Sequence, residues 1–201
     1  MKILHTTDLH FNKKWFEWIV NEQNNYDAIC ITGDFLDVDN DEPIQKQASW
    51  VKSWLKEFKK PILTCTGNHD SVDFDNGDWL VSSEYAYSDG SKPTINGVKF
   101  GCISYGTPDF FEYDECDVLL YHLPPSSTKT AITKDSNKDF GDQELSRLLK
   151  NGMLDAKYLL CGHIHNAKST EDKINHTIIL NPASVADKDI PPYKIIEISI
   201  K

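Results

Sequence analysis

Five apolar, β-branched runs in this chain each end in a short polar motif, and this coupling restricts the fold more than any other feature of the sequence. The runs are Lys2-Ile3-Leu4, Ala28-Ile29-Cys30-Ile31, Pro61-Ile62-Leu63-Thr64-Cys65, Val118-Leu119-Leu120 and Tyr158-Leu159-Leu160-Cys161. Short and apolar on successive residues, they read as strands buried on both faces. The motifs that follow are Asp8-Leu9-His10, Gly33-Asp34, Gly67-Asn68-His69-Asp70, Tyr121-His122 and Gly162-His163-Ile164-His165, and they hold five of the seven histidines. Loops leaving one edge of a buried sheet gather residues that are far apart in sequence, and open α/β sheets place their sites there.

The residue types in these motifs are metal-ligand types. Imidazole nitrogens with carboxylate or amide oxygens suit first-row divalent ions such as Mn²⁺, Fe²⁺ or Zn²⁺, whereas Ca²⁺ favours oxygen alone. Seven such donors can hold two ions if one carboxylate bridges them.

Composition narrows the function. At 201 residues the sequence predicts one domain over 1–201, long enough to bury roughly 70% of its unfolded-chain surface. A formal charge of −10 offers no basic stripe for tracking a nucleic-acid backbone, which disfavours nucleic acid as a partner. Arg147 is the only arginine among 21 basic residues, so a bidentate arginine clamp for phosphate is nearly ruled out. The five cysteines (Cys30, Cys65, Cys102, Cys116, Cys161) form no C-x-x-C pair and read as small buried thiols of a reducing compartment. No signal peptide or membrane span is expected, which makes a cytoplasmic location the expectation.

Between the runs, Trp15, Phe16, Ile19 and Val20 have helical spacing over 13–24. Pro43 opens a second predicted helix that runs to about Lys60, with Trp50, Trp54, Leu55 and Phe58 as its buried stripe. The first half is therefore β-α-β-α-β with right-handed crossovers. In the second half, Asn96-Gly97 between Thr94-Ile95 and Val98-Lys99-Phe100 predicts a hairpin, its second strand extended through Cys102–Tyr105. A third helix is expected over Asp142–Lys150, with Asp142 as N-cap and Gly152 past its end. Strands are expected at 157–161, 176–180 and 194–200. This mixture predicts an α/β fold of two packed mixed β-sheets flanked by helices, four layers in the order α/β/β/α.

In their order, the five motifs resemble the signature of the calcineurin-like metallophosphoesterase superfamily, D-x-H, G-D, G-N-H-[DE], H and G-H-x-H, over positions 8 to 165. The resemblance implies one metal held by Asp8, His10 and His165, another by Asn68, His122 and His163, and Asp34 bridging. It implies two divalent ions, Mn²⁺ first, with Fe, Zn, Ni or Co as alternatives. Such a pair can lower the pKa of a shared water and clamp phosphate oxygens for in-line displacement, so a metal-activated hydroxide would attack phosphorus. His69 is then the expected acid and transition-state stabiliser for the leaving oxygen. By analogy with the phosphoprotein-phosphatase branch, Asp37 would orient His69, and Asp70 reads as a turn residue or one supporting a ligand.

Departures from the superfamily point to a branch. Val38 and Thr66 stand where phosphoprotein phosphatases carry arginines, which disfavours that activity. Asn181-Pro182-Ala183-Ser184 and His122-Leu123-Pro124-Pro125 resemble turns of small uncapped bacterial and archaeal phosphodiesterases. The expectation is a phosphodiesterase acting on a small or nucleotide-like phosphate ester. The alternatives are a nuclease of the double-strand-break repair type, a phosphomonoesterase and a non-catalytic metal-bound scaffold. Tyr105, Phe110, Phe111 and Tyr113 could stack on a base, and Lys129 and Lys134 could reach phosphate. No substrate-binding residue is otherwise encoded.

Overall fold

The buried runs divide their side chains between two apolar layers, and this division builds the fold. In the computed structural model, which describes residues 1–70, 78–182 and 189–199, strands β1 (Lys2–Thr6), β2 (Ala28–Thr32), β3 (Ile62–Cys65) and β4 (Ala86–Tyr87) run parallel. Leu4, Ile29, Ile31 and Ile62 on one face pack into a cluster with Phe16, Ile19, Val51, Trp54 and Phe58. That cluster seats helices α1 (Lys13–Glu22) and α2 (Ile44–Trp54) on the sheet. Ile3, Ala28, Cys30, Leu63 and Cys65 on the other face enter a second cluster with Val98, Phe100, Val118, Leu120 and Leu160. Period-2 alternation thus gives a strand two apolar faces because each meets a different layer.

The second sheet contains β5 (Thr94–Ile95), β6 (Val98–Cys102), β7 (Val118–Leu120), β8 (Tyr158–Leu160), β9 (Glu171–Ile174) and β10 (Thr177–Leu180). Its order is β5-β6-β7-β8-β10-β9, with a parallel centre and antiparallel pairs at both ends. Helix α3 (Gln143–Lys150) covers its far face through Leu145, Leu148 and Leu149, which pack on Leu119, Leu159 and Ile179. Strand β11 (Tyr193–Glu197) returns antiparallel to β1 and completes the five-stranded first sheet. The predicted α/β/β/α sandwich is what forms. Each large aliphatic side chain buried in its layers contributes roughly 1.5–3 kcal/mol.

The local signals act where the sequence placed them, with shifts of a few residues. Asn96 (φ 50°) and Gly97 (φ 79°) both take the left-handed backbone of a two-residue hairpin turn. Asp142 caps α3 by accepting the Leu145 N–H at 2.8 Å. Pro43 is the N-cap of α2 rather than its first residue, and the helix ends at Trp54, followed by a 3₁₀ turn over Leu55–Glu57. Trp50 is only half-buried, and Val51 takes its place in the stripe. Strand β6 stops at Cys102, short of the expected 105, and β4 and β9 lack the apolar length that would announce them. All five cysteines are buried free thiols. No helix among the described residues is long and apolar enough to cross a membrane.

Candidate metal centre

The loops after β1, β2, β3, β7 and β8 meet at one edge of the sandwich, and two pairs of them are tied backbone to backbone. Asp8 N–H donates to Gly33 O (3.1 Å), His10 N–H to Asp34 O (3.0 Å) and Gly162 N–H to His122 O (2.9 Å). The motif glycines are the points of closest approach. A Cβ on Gly33 would lie 2.6 Å from His122 Nδ1, one on Gly67 would run into the Asp34 carboxylate, and one on Gly162 into Thr7 and Asp8. Four motif residues also hold left-handed backbone: Asp8 (φ 52°), His10 (39°), Asp34 (53°) and His163 (67°). Non-glycine residues bear this at about 1–3 kcal/mol each, and such strain gathers at functional sites.

On one side of the centre, Asp8, His10 and His165 bring a ligand atom each within 4.8 Å of one another. His165 Nε2 lies 3.1 Å from Asp8 Oδ1 and 3.2 Å from His10 Nε2. The fully buried Asp8 carboxylate also accepts Thr7 Oγ1 (2.7 Å) and the His163 N–H (3.1 Å). Burial pushes that carboxyl upward, but the His165 hydrogen bond and the neighbouring His122 outweigh it and hold it low. His165 is raised by the same bond.

On the other side, Asp34, His122 and His163 form a second such triad. The amide oxygen of Asn68 lies between the two rings, 3.1 Å from His122 Nε2 and 2.9 Å from His163 Nδ1. His122 is fully buried, and its Nδ1 sits 2.7 Å from Thr32 O, which fixes the proton there and aims Nε2 at Asn68 Oδ1 and, 3.4 Å away, Asp34 Oδ2. Burial opposes charge on His122, yet its hydrogen bond to Asp34 and the carboxylate charges raise its pKa to about 9. His163 is lowered to about 4 by burial and by His122. With neutral rings, the lone pairs of Asn68, Asp34, His122 and His163 converge on one point, and a cation is what satisfies them. The donor set therefore fits a divalent metal.

Asp34 belongs to both sides. Its Oδ2 lies 3.9 Å from His10 Nε2 and 3.4 Å from His122 Nε2, and its Oδ1 accepts the His69 N–H at 2.9 Å. His10, Asp34 and His69 also form a triad of ligand atoms. Beside them a cavity of about 430 Å³ is lined by Leu9, His10, Asn12, Trp15, Asp37, Asp39, His69 and His165.

The sequence-predicted metal residues and His69 are thus brought together, and the remaining expectations divide. Asp37 reaches the cavity, but its Oδ1 accepts the Asp39 N–H (3.0 Å), and it is the Val38 N–H that faces His69 Nδ1, at 3.4 Å. Asp70 supports backbone rather than an imidazole, accepting the N–H groups of Phe35 (3.3 Å), Leu36 (3.1 Å) and Gly67 (3.0 Å). Burial first, and then the Asp34 charge, raise its carboxyl to about 7. Phe110 and Tyr113 are core residues under the second sheet, whereas Tyr105 stands 5.9 Å from His122, ring to ring. Lys129 and Lys134 are exposed and do not line the cavity. Asn181 Nδ2 donates to Gly162 O at 3.0 Å, while Ala183-Ser184 of its motif lie outside the described residues.

Sequence reasoning passed over Thr32, Asp89 and Gln47, and read Thr66 only as a replaced arginine position. Asp89 accepts Thr66 N–H (3.0 Å) and Oγ1 (2.7 Å), and Thr66 Oγ1 accepts the Tyr105 N–H (3.2 Å). Only the partner in space gives these polar residues meaning, and no spacing rule points to them.

A family model described as calcineurin-like phosphoesterase matches residues 1–167, a stretch that contains every motif. The chain belongs to the calcineurin-like phosphoesterase family. This is a family of divalent-metal-dependent phosphoester hydrolases, and its metal dependence agrees with the clustered His and Asp side chains. The fold of this family member is similar to that of TT1561 of Thermus thermophilus, at 15% identity and a TM-score of 0.63, covering 90% of this chain and 88% of that one. A second solved structure matches at 14% identity and a TM-score of 0.65, covering 90% of each chain. YfcE, a phosphoesterase from E. coli, aligns at 13% identity and a TM-score of 0.48, over 98% of this chain and 88% of its own. No curated protein matches.

Proposed function

We propose that this phosphoesterase is a phosphodiesterase for a small or nucleotide-like ester and works with two divalent ions. Asp8, His10 and His165 hold one ion, Asn68, His122 and His163 the other, and Asp34 bridges. The observation that carries this reading is the pair of ligand triads joined at the Asp34 carboxylate. Bound there, two such ions supply Lewis acidity for the ester oxygens and acidify a water.

The chain's own residues do the rest. Asp34 and Asp8 keep the imidazoles aimed, and Thr32 and Asn181 hold the His122 and Gly162 loops. His69 lines the cavity beside His10 and serves the leaving oxygen as acid and transition-state stabiliser, so the cavity takes the leaving group. The cavity wall favours a diester. Its described residues include Asp37 and Asp39 and no lysine or arginine, which suits the single charge of a diester better than the double charge of a monoester.

The test is turnover of an aryl phosphodiester and an aryl phosphomonoester, side by side, by metal-stripped protein reloaded with Mn²⁺. Faster diester hydrolysis is expected. Faster monoester hydrolysis moves the assignment to phosphatase, and retained metal with no turnover leaves the scaffold reading. His69→Ala is expected to keep its metal and lose about 10²–10⁴ in kcat.

A further inference from the structure

Gln47 is a glutamine of α2 with no exposed surface, and every polar atom of its side chain is engaged. Its Oε1 accepts the Asp37 N–H at 2.8 Å, and its Nε2 donates to Asp37 O at 2.9 Å and Glu42 O at 2.7 Å. One buried amide therefore clamps both backbone groups of Asp37 and closes the loop that follows β2. The next backbone N–H in that loop belongs to Val38, and it donates to His69 Nδ1. Val38 itself is 55% exposed, so it is held here by its backbone and not by packing.

An N–H aimed at Nδ1 needs a lone pair there, which places the proton of a neutral imidazole on Nε2. A carboxylate at the same nitrogen would demand the opposite, a proton on Nδ1. We infer that Gln47 is a positioning residue which, through Asp37 and Val38, holds His69 in the Nε2–H tautomer, so that His69 acts on the leaving oxygen as a hydrogen-bond donor. This rests on the reading above that His69 serves the leaving group. The Val38 contact is long at 3.4 Å, as hydrogen bonds of catalytic groups often are before substrate binds.

The consequence is selective. A hydrogen bond to the leaving oxygen gains strength as negative charge accumulates there, so it matters most for poor leaving groups. Two variants test it: Gln47→Met, which removes the clamp at similar volume, and Val38→Pro, which removes the N–H at an exposed position while leaving the Gln47 side chain in place. The Mn²⁺-loaded protein is assayed on aryl methyl phosphodiesters with 4-nitrophenol and phenol as leaving groups. The His69 tautomer is read by ¹⁵N–¹H NMR of the metal-free protein.

Wild-type protein is expected to show the Nε2–H tautomer, and both variants a mixture. Both are expected to lose at least about tenfold more kcat on the phenyl than on the 4-nitrophenyl ester, the scale of losing a group that orients a site residue. Neither should lower kcat further in a His69→Ala background. An Nδ1–H tautomer in the wild type, equal losses on the two esters, or losses additive with His69→Ala would each overturn the inference. If His69→Ala itself shows no preference between leaving groups while the wild-type tautomer is Nε2–H, the clamp exists but the role of His69 fails, and the inference fails with it.

Discussion

The two sides of the metal centre carry similar ligand chemistry in opposite surroundings. His122 has no exposed surface and is locked by Thr32 O, whereas the His165 side chain is 46% exposed and is held, among the described residues, by Asp8 and His10. The Asn68–His122–His163 side is built into the contact between the β2, β3, β7 and β8 loops. The Asp8–His10–His165 side opens onto the cavity that also contains His69. The difference teaches a division of labour: one side is preorganised by the fold, and the other meets solvent and, in the function proposed above, the leaving group.

The largest effect expected is that of Asp34→Ala, because this carboxylate is what the two sides share. Both ions should be lost together, with activity down by more than about 10²-fold, beyond the range of outer-shell changes. Metal content by plasma emission checks this, and loss of only one ion would show that the two sides do not depend on a common carboxylate. Next, His122→Ala should destabilise the metal-free protein by about 1–3 kcal/mol, since Thr32 O and Asp34 lose a buried partner. His165→Ala should cost less, because its ring is half-exposed and the Asp8 carboxylate it leaves behind still accepts the Thr7 hydroxyl and the His163 N–H. Equal urea midpoints for the two variants would remove the contrast.

Acidity sharpens the comparison further. His5, buried with its Nε2 3.0 Å from Thr32 Oγ1, has its pKa lowered to about 3 by burial. Its stability contribution is present above the unfolded value of 6.5 and is lost as pH falls from there through about 3. His122 is raised, so its contribution is full below 6.5 and is lost as pH rises through about 9. The metal-free protein should therefore be most stable near the middle of this range, with His5→Gln flattening the acid limb and His122→Ala the alkaline one. A monotonic pH dependence would sink this assignment. Because His122 must release its proton to bind an ion, metal loading should also weaken as pH falls.

The smallest effect belongs to Asp37→Asn. Asparagine keeps an acceptor for the Asp39 N–H and removes only a charge from the cavity wall. Metal content should not change, and kcat should fall by no more than about fivefold, the scale of an exposed charge interaction. Unchanged kinetics would take Asp37 out of the chemistry.

What the sequence alone determined is local and periodic. Apolar runs of strand length specified the buried strands, Asn96-Gly97 its hairpin turn and Asp142 its helix cap, because each depends on residues within a turn or two of one another. The metal-ligand types at the strand ends were legible for the same reason. The tertiary structure alone decided what depends on distant partners: that Gly67 and Gly162 leave room for carboxylates, that Asp70 ties three backbone N–H groups, and that Phe110 belongs to the core. It also decided that a glutamine inside α2 and a backbone N–H, rather than the Asp37 carboxylate, stand behind His69. A hydrogen bond between loops is set by where whole layers pack, and no sequence spacing encodes that distance.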